Sequence, residues 1–244
     1  MAATARGVES VYQDTLANYL ISMARSVEIT VNRAMEALLA CHTPAASSIA
    51  SEIFLNEPRI NEMEIIIDEH AVRLLRSGAL TETEIRLVVS TLRINNDLER
   101  MGDLAVNIAQ RVISLAQMKG VGMPEELAPM TAAVRTMVQK SLGALIFRNA
   151  VLAGEVLESD DVVDRFRDVI CERMLASMTS DPVYIPPGIQ FVLASRYLER
   201  IADHCTNIAE DVVFWVRGLD VRHGRAEGMV EKALELPPDA LTGV

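Results

Sequence analysis

Residues 98–112 read LERMGDLAVNIAQRV, and residues 198–212 read LERIADHCTNIAEDV. The two stretches agree without a gap at Leu, Glu, Arg, Asp, Asn, Ile, Ala and Val, which identifies an internal duplication. In both, apolar residues return at steps of three and four, the spacing that lays one stripe along a helix. The first stripe is Ile94, Leu98, Met101, Ala105, Ile108 and Val112; the second is Ala194, Leu198, Ile201, Cys205, Ile208, Val212 and Trp215. Glu99, Asp103 and Asn107, and in the second copy Glu199, Asp203 and Asn207, fall at i, i+4 and i+8. At about 100 degrees per residue they lie roughly 170 degrees from the stripe, so this acidic line is expected to face outward.

Working outward from these helices, each copy has two more in front of it. Leu16, Leu20, Met23, Val27, Val31, Ala34, Leu38 and Cys41 form one apolar stripe along a first long helix. Thr43 followed by Pro44 reads as an N-cap with proline in the first turn, opening a second helix that runs towards Arg76 and stops at Gly78. Pro58 is expected to kink or split it. Thr81 with Glu84 is a capping box for the third helix, which runs to about Lys119, where Gly120, Gly122 and Pro124 break the pattern. The scheme then repeats, with helices expected at 124–152, at 155–179 and from Pro186 and Pro187 to about Gly218. The expected fold is all-α, two tandem three-helix bundles related by duplication: residues 1–120, residues 121–218, and a C-terminal tail at 219–244 that carries no readable motif.

Composition narrows the function classes. With 244 residues, half of them apolar, the chain can bury a sizeable core, which excludes disorder. Against 34 Asp and Glu there are 23 Lys and Arg, a formal charge of -11 that argues against nucleic acid as a partner. No apolar run reaches the about 18 residues of a membrane span; the nearest, 185–195, is interrupted by Pro186, Pro187, Gly188 and Gln190. The start, MAATARGVESVYQ, lacks a secretory h-region, and Cys41, Cys171 and Cys205 are odd in number and widely spaced. A reducing cytoplasm is the expected location.

The acidic lines are the candidate chemistry. Each unit's second helix adds a pair at the same spacing, Asp160 with Asp164 in the later half and Glu57 with Asn61 in the earlier. Asp160, Asp164 and Asp168 are expected to lie opposite Val162, Phe166, Val169 and Ile170. Helices packed about 8 to 10 Å apart would bring three or four carboxylates to one spot. Carboxylates that close raise one another's pKa unless a cation intervenes, and divalent or first-row transition ions suit such a set. A solvated acidic face, paired in part with Arg93, Arg100, Arg196 and Arg200, is the competing reading. A carboxylate-bridged metalloenzyme is a distant third, because none of His42, His70, His204 and His223 has a Glu three residues before it. His204 beside Asp203 and the three cysteines read as packing residues, and Gly120-Val121-Gly122 lacks the flanking strand and the Lys-Ser/Thr of a phosphate loop.

The doubled motif LERMGDLAVNIA and LERIADHCTNIAE resembles the paired signature of the PhoU family, the phosphate-specific transport system accessory proteins, over almost the whole chain. The resemblance implies a cytoplasmic homodimer that binds metal through E(D)-x-x-x-D motifs. Its ligands would be Glu99, Asp103, Glu199 and Asp203, with Asp160 and Asp164 on one second helix and Glu57 and Asn61 as their counterparts. Iron, zinc, manganese or magnesium would be the ion. Because Pro58 follows Glu57 and Asn61 replaces Asp, the first set is expected to be weaker or empty. The resemblance further implies an adaptor and not a catalyst. Such an adaptor would contact the ATPase subunit of a phosphate ABC transporter and a sensor histidine kinase, hold down the phosphate-starvation response and limit uptake. The runner-up is a metal-free helical scaffold for another phosphate transporter.

Overall fold

The structure, a computed structural model, describes residues 2–78, 80–118 and 122–222, with side chains from residue 15 onward except at position 160. Among the described residues every regular element is helical: α1 (Ala2–Leu39), α2 (Ala45–Arg76), α3 (Glu82–Ala116), α4 (Leu127–Phe147), α5 (Ala150–Leu157), α6 (Asp160–Ser180) and α7 (Ile185–Arg217), with one 3₁₀ turn at Pro182–Tyr184. Helices α1, α2 and α3 pack on one another, as do α4, α6 and α7, with α5 lying on α4 and α7. The two three-helix bundles are joined along α3 and α7, and α1 also meets α4. Leu16, Leu20, Met23, Val27, Val31, Ala34, Leu38 and Cys41 are all buried, as their spacing predicts, and they belong to one apolar core that runs through both bundles.

Local chemistry explains the ends. The Thr81 side chain accepts from the Glu84 backbone N–H while the Glu84 carboxylate accepts from the Thr81 N–H, a complete capping box. Gly78 and Gly218 take left-handed φ of 74° and 68°, the conformation that lets a chain leave a helix. Thr43, by contrast, is not the cap of α2: Pro44 holds that place in right-handed geometry, with no side-chain cap bond. Pro58 does not split α2, which runs on through it. A proline costs the helix one amide donor, and the packing of Ile53, Ile60 and Ile67 into the core on either side holds the turns together.

The larger correction falls in the second bundle. In place of one helix over 124–152, α4 ends at Phe147, Arg148 turns left-handed at φ 49°, and Asn149 caps α5 by accepting from the N–H groups of Val151 and Leu152. Arg148 lays its guanidinium 4.9 Å from the centre of the Trp215 ring. Trp215 lines a small gap with Ala17, Leu20, Leu87 and Leu145, where α1, α3, α4 and α7 converge. In α6 the inward residues are Val163, Ile170 and Met174, with Phe166 packed against the core, whereas Val162 and Val169 are exposed. Of the tail, Val221 is buried and Arg222 pairs with Asp220; His223 and the rest of 219–244 lie outside the described residues, as do Lys119 and Gly120 at the expected end of α3.

Candidate functional site

Glu99 and Asp103 stand one turn apart on α3, but the line they form does not simply face water. The Glu99 side chain is only 15% exposed. Helix α3 packs on α1, α2 and α7 at once, so its buried arc is far wider than one apolar stripe, and the far side of that stripe is still covered by a neighbour. That neighbour is α2. Asn95 of α3, fully buried, donates from Nδ2 to the Glu64 carbonyl at 3.1 Å and to Asp68 Oδ1 at 2.9 Å. Burial, then Asp103, raises the pKa of the Glu99 carboxyl; burial, then Asp68, raises that of Glu64. The cation of this set is Arg100, more than half exposed, with Nε 3.4 Å from Glu99 and Nη1 3.7 Å from Asp103. Glu57 and Asn61, the expected ligands on α2, pair with each other across one turn, Asn61 Nδ2 donating to Glu57 Oε1 at 3.2 Å.

The second bundle handles its carboxylates differently. Arg167 of α6 points into the set: Nη1 donates to Glu199 Oε1 of α7 at 2.6 Å, Nε lies 3.0 Å from Asp168 Oδ1 as an ion pair, and Nη2 lies 3.7 Å from Asp164 Oδ1. Its side chain is three-quarters buried. Burial opposes the Arg167 charge, but Glu199, Asp168 and Asp164 outweigh it and hold its pKa above the usual value. Asp203 follows Glu199 by one turn on α7. Asp160 begins α6; its side chain lies outside the described residues.

Between the two sets runs the α3–α7 seam. Asp97 Oδ1 lies 2.7 Å from His204 Nδ1 and accepts from Asn207 Nδ2 at 3.2 Å. Arg93 donates to Asp211 at 3.0 Å and lies over the Phe214 ring, while Arg111 donates to Gln190. Asp211 is almost fully buried, and burial, partly offset by Arg93, pushes its carboxyl up to about 6. Asn96, Asn207, Glu210 and Arg222 join Arg93, Asp97 and Asp211 around a polar cleft of about 470 Å³. Asn207, placed on the acidic line by its spacing, therefore belongs to the seam.

The sequence profile of the PhoU domain matches this chain twice, over residues 20–112 and 127–212. The chain belongs to the PhoU family. A phosphate-specific transport system accessory protein PhoU homolog of Pseudomonas aeruginosa is 36% identical over 208 residues, spanning 84% of each chain. The crystal structure of PhoU from Pseudomonas aeruginosa superposes with a TM-score of 0.81 at 33% identity, covering 86% of this chain and 99% of that one. The phosphate transport system regulatory protein PhoU of Streptococcus pneumoniae gives 0.79 at 25% identity, covering 88% and 100%. The two profile matches coincide with the two bundles, so the PhoU unit is the three-helix bundle and each copy carries one carboxylate set.

Setting the buried Ile60 and Ile67 of α2 on Val163 and Ile170 of α6 puts Glu57 on Asp160, Asn61 on Asp164 and Glu64 on Arg167. Glu64 and Asp68, which α2 brings to Glu99, Asp103 and Asn95 of α3, are site residues that spacing alone could have found, because Glu64-Ile-Ile-Ile-Asp68 repeats the E-x-x-x-D spacing. With them the first set gathers four carboxylates against one exposed arginine, so the balance of charge runs opposite to the expectation of a weaker first site. Among the described residues no three His, Cys, Asp or Glu side chains converge at ligand spacing. The chemistry of the first set nevertheless suits a divalent ion, since its carboxyls are crowded, partly desolvated and short of positive charge. The second set is already neutralised by Arg167. Among the described residues no helix is long and apolar enough to cross a membrane.

Proposed function

We propose that this chain is an accessory regulator of a phosphate-specific transport system, an adaptor of the cytoplasm that works as a homodimer. In this reading it contacts the ATPase subunit of a phosphate ABC transporter and a sensor histidine kinase, restrains uptake and represses the starvation response when phosphate is plentiful. The observation that carries the reading is the double PhoU-domain match over both bundles, in company with relatives named as accessory proteins of that system. The carboxylate sets contribute an acidic surface whose charge a metal would change. In the first bundle Glu99, Asp103, Glu64 and Asp68, with Glu57 and Asn61 next along α2, are the residues to hold it; Glu199, Asp203, Asp160 and Asp164 are their counterparts in the second, where Arg167 already supplies a positive charge. Bound there, iron, zinc, manganese or magnesium would cancel repulsion between α2 and α3 and alter the surface offered to a partner.

The test is complementation in a bacterium lacking its own PhoU protein. Expression of this chain is expected to restore repression of a phosphate-starvation reporter in high phosphate. A reporter that stays on, with the chain folded and present, would overturn the regulatory reading. Elemental analysis of untagged protein is expected to find metal that Glu99→Gln with Asp103→Asn removes without loss of helical signal; equal metal in both proteins would overturn the ligand assignment.

A further inference from the structure

We propose that Arg167 is the resident cation of the second carboxylate set, a side chain that takes the place of a metal and confines metal binding to the first bundle. The proposal rests on the metal reading above for the first bundle only. Its ground is the comparison of two copies of one design. The register that sets the buried Ile60 and Ile67 of α2 on Val163 and Ile170 of α6 puts Arg167 at the place of Glu64, a carboxylate of the first set. The guanidinium is held by three carboxylates from two helices: Glu199 at 2.6 Å, Asp168 at 3.0 Å and Asp164 at 3.7 Å. It fills the gap between α6 and α7 with a delocalised charge whose N–H groups use the same oxygen lone pairs that a metal would need. A divalent ion brought to those oxygens would sit within a few ångströms of that charge, and the repulsion opposes its entry. Arg100 in the first set does not act this way. It is more than half exposed and its contacts are 3.4 and 3.7 Å, so it can swing into water without leaving a buried charge.

Two copies thus solve the same electrostatic problem by different means. The carboxylates of the first bundle, with only the exposed Arg100 beside them, leave room for a cation from solution, and the second bundle supplies its own from the sequence. The chain is accordingly asymmetric in its metal dependence despite its duplicated fold.

The experiment uses the full chain, stripped with chelator, in four forms: wild type, Arg167→Gln, Arg167→Lys and Glu199→Gln. Melting is followed with and without manganese, and bound manganese is counted after gel filtration. Arg167→Gln is expected to melt lower in chelator, to regain the loss with manganese, and to carry one more equivalent than wild type. Arg167→Lys is expected to behave as wild type does. Glu199→Gln is expected to leave the manganese content of the wild type unchanged. The proposal is overturned if manganese gives Arg167→Gln neither the extra equivalent nor a larger rise in melting temperature than wild type. It is equally overturned if wild type holds manganese that Glu199→Gln removes, a result that decides even where Arg167→Gln does not fold. Loss of manganese on Glu99→Gln concerns the first set alone, so failure of the metal reading there is told apart from failure here.

Discussion

Asp211 shows how a single buried carboxyl sets the response of the chain to pH. It is 5% exposed, its partner Arg93 lies 3.0 Å away, and Asp97 adds negative charge nearby. In the folded chain it titrates at about 6, against about 3.9 for an unfolded Asp. Between those values the folded state binds more protons than the unfolded one, so this group's contribution falls as pH rises through the window and is level above it. Asp211→Asn lacks that decline. Urea unfolding is expected to move in favour of the variant, relative to wild type, by on the order of 2 kcal/mol between about pH 4 and about pH 7. A shift in favour of wild type would mean that the Arg93 pair outweighs burial. At this scale the sequence was informative about residue types and silent about partners. Glu64 and Asp68 were legible by spacing, but the reach of Arg167 to Glu199 depends on how α6 and α7 face one another, which no single-helix pattern contains. Asp97, likewise, becomes a site residue only because α3 and α7 cross.

At the scale of elements, the break between α4 and α5 is the feature that periodicity did not announce. Gly78, Gly218 and the Thr81–Glu84 box carry chemistry specific to helix ends, and their helices end or begin where that chemistry predicts. Arg148 carries none. A non-glycine residue there bears the left-handed penalty of about 1 kcal/mol, and the Asn149 cap together with the contact of Arg148 on Trp215 keeps it in place. Two substitutions separate these terms. Arg148→Ala and Arg148→Gly both lose the ring contact, but only Ala keeps the backbone penalty, so the Gly variant is expected to be the more stable by about 1 kcal/mol in denaturant titration. Equal stability would place the cost of the break elsewhere. The outward reading of the acidic lines held for Asp203 and Asn207, which are exposed, and failed at Glu99 for a related reason: one stripe gives the direction of one neighbour, and α3 has three.

Taken whole, the molecule is a duplication closed along its two most central helices. The seam between them alternates polar pairs, Arg93 with Asp211, Asp97 with His204 and Asn207, and Arg111 with Gln190, with the apolar stripes of α3 and α7. Buried pairs of this kind add little net stability but penalise a wrong register heavily, because a slipped α7 would leave Asp97 or Asp211 without its partner. The apolar core is likewise shared, with no layer of polar residues isolating one bundle from the other.

Trp215 turns that shared core into something that can be watched. It is the one tryptophan of the chain and is 8% exposed, at the point where helices of both bundles converge. Its emission reports this junction, whereas far-ultraviolet circular dichroism reports helix throughout the chain. On denaturation the red shift of the indole and the loss of ellipticity are expected to trace one curve, the mark of a single cooperative transition. Curves that separate would mean that one bundle can melt while the other stands. Coincident curves would make the junction the point through which damage in either half, such as a cavity opened in α1 or a charge stranded on α6, lowers the stability of both.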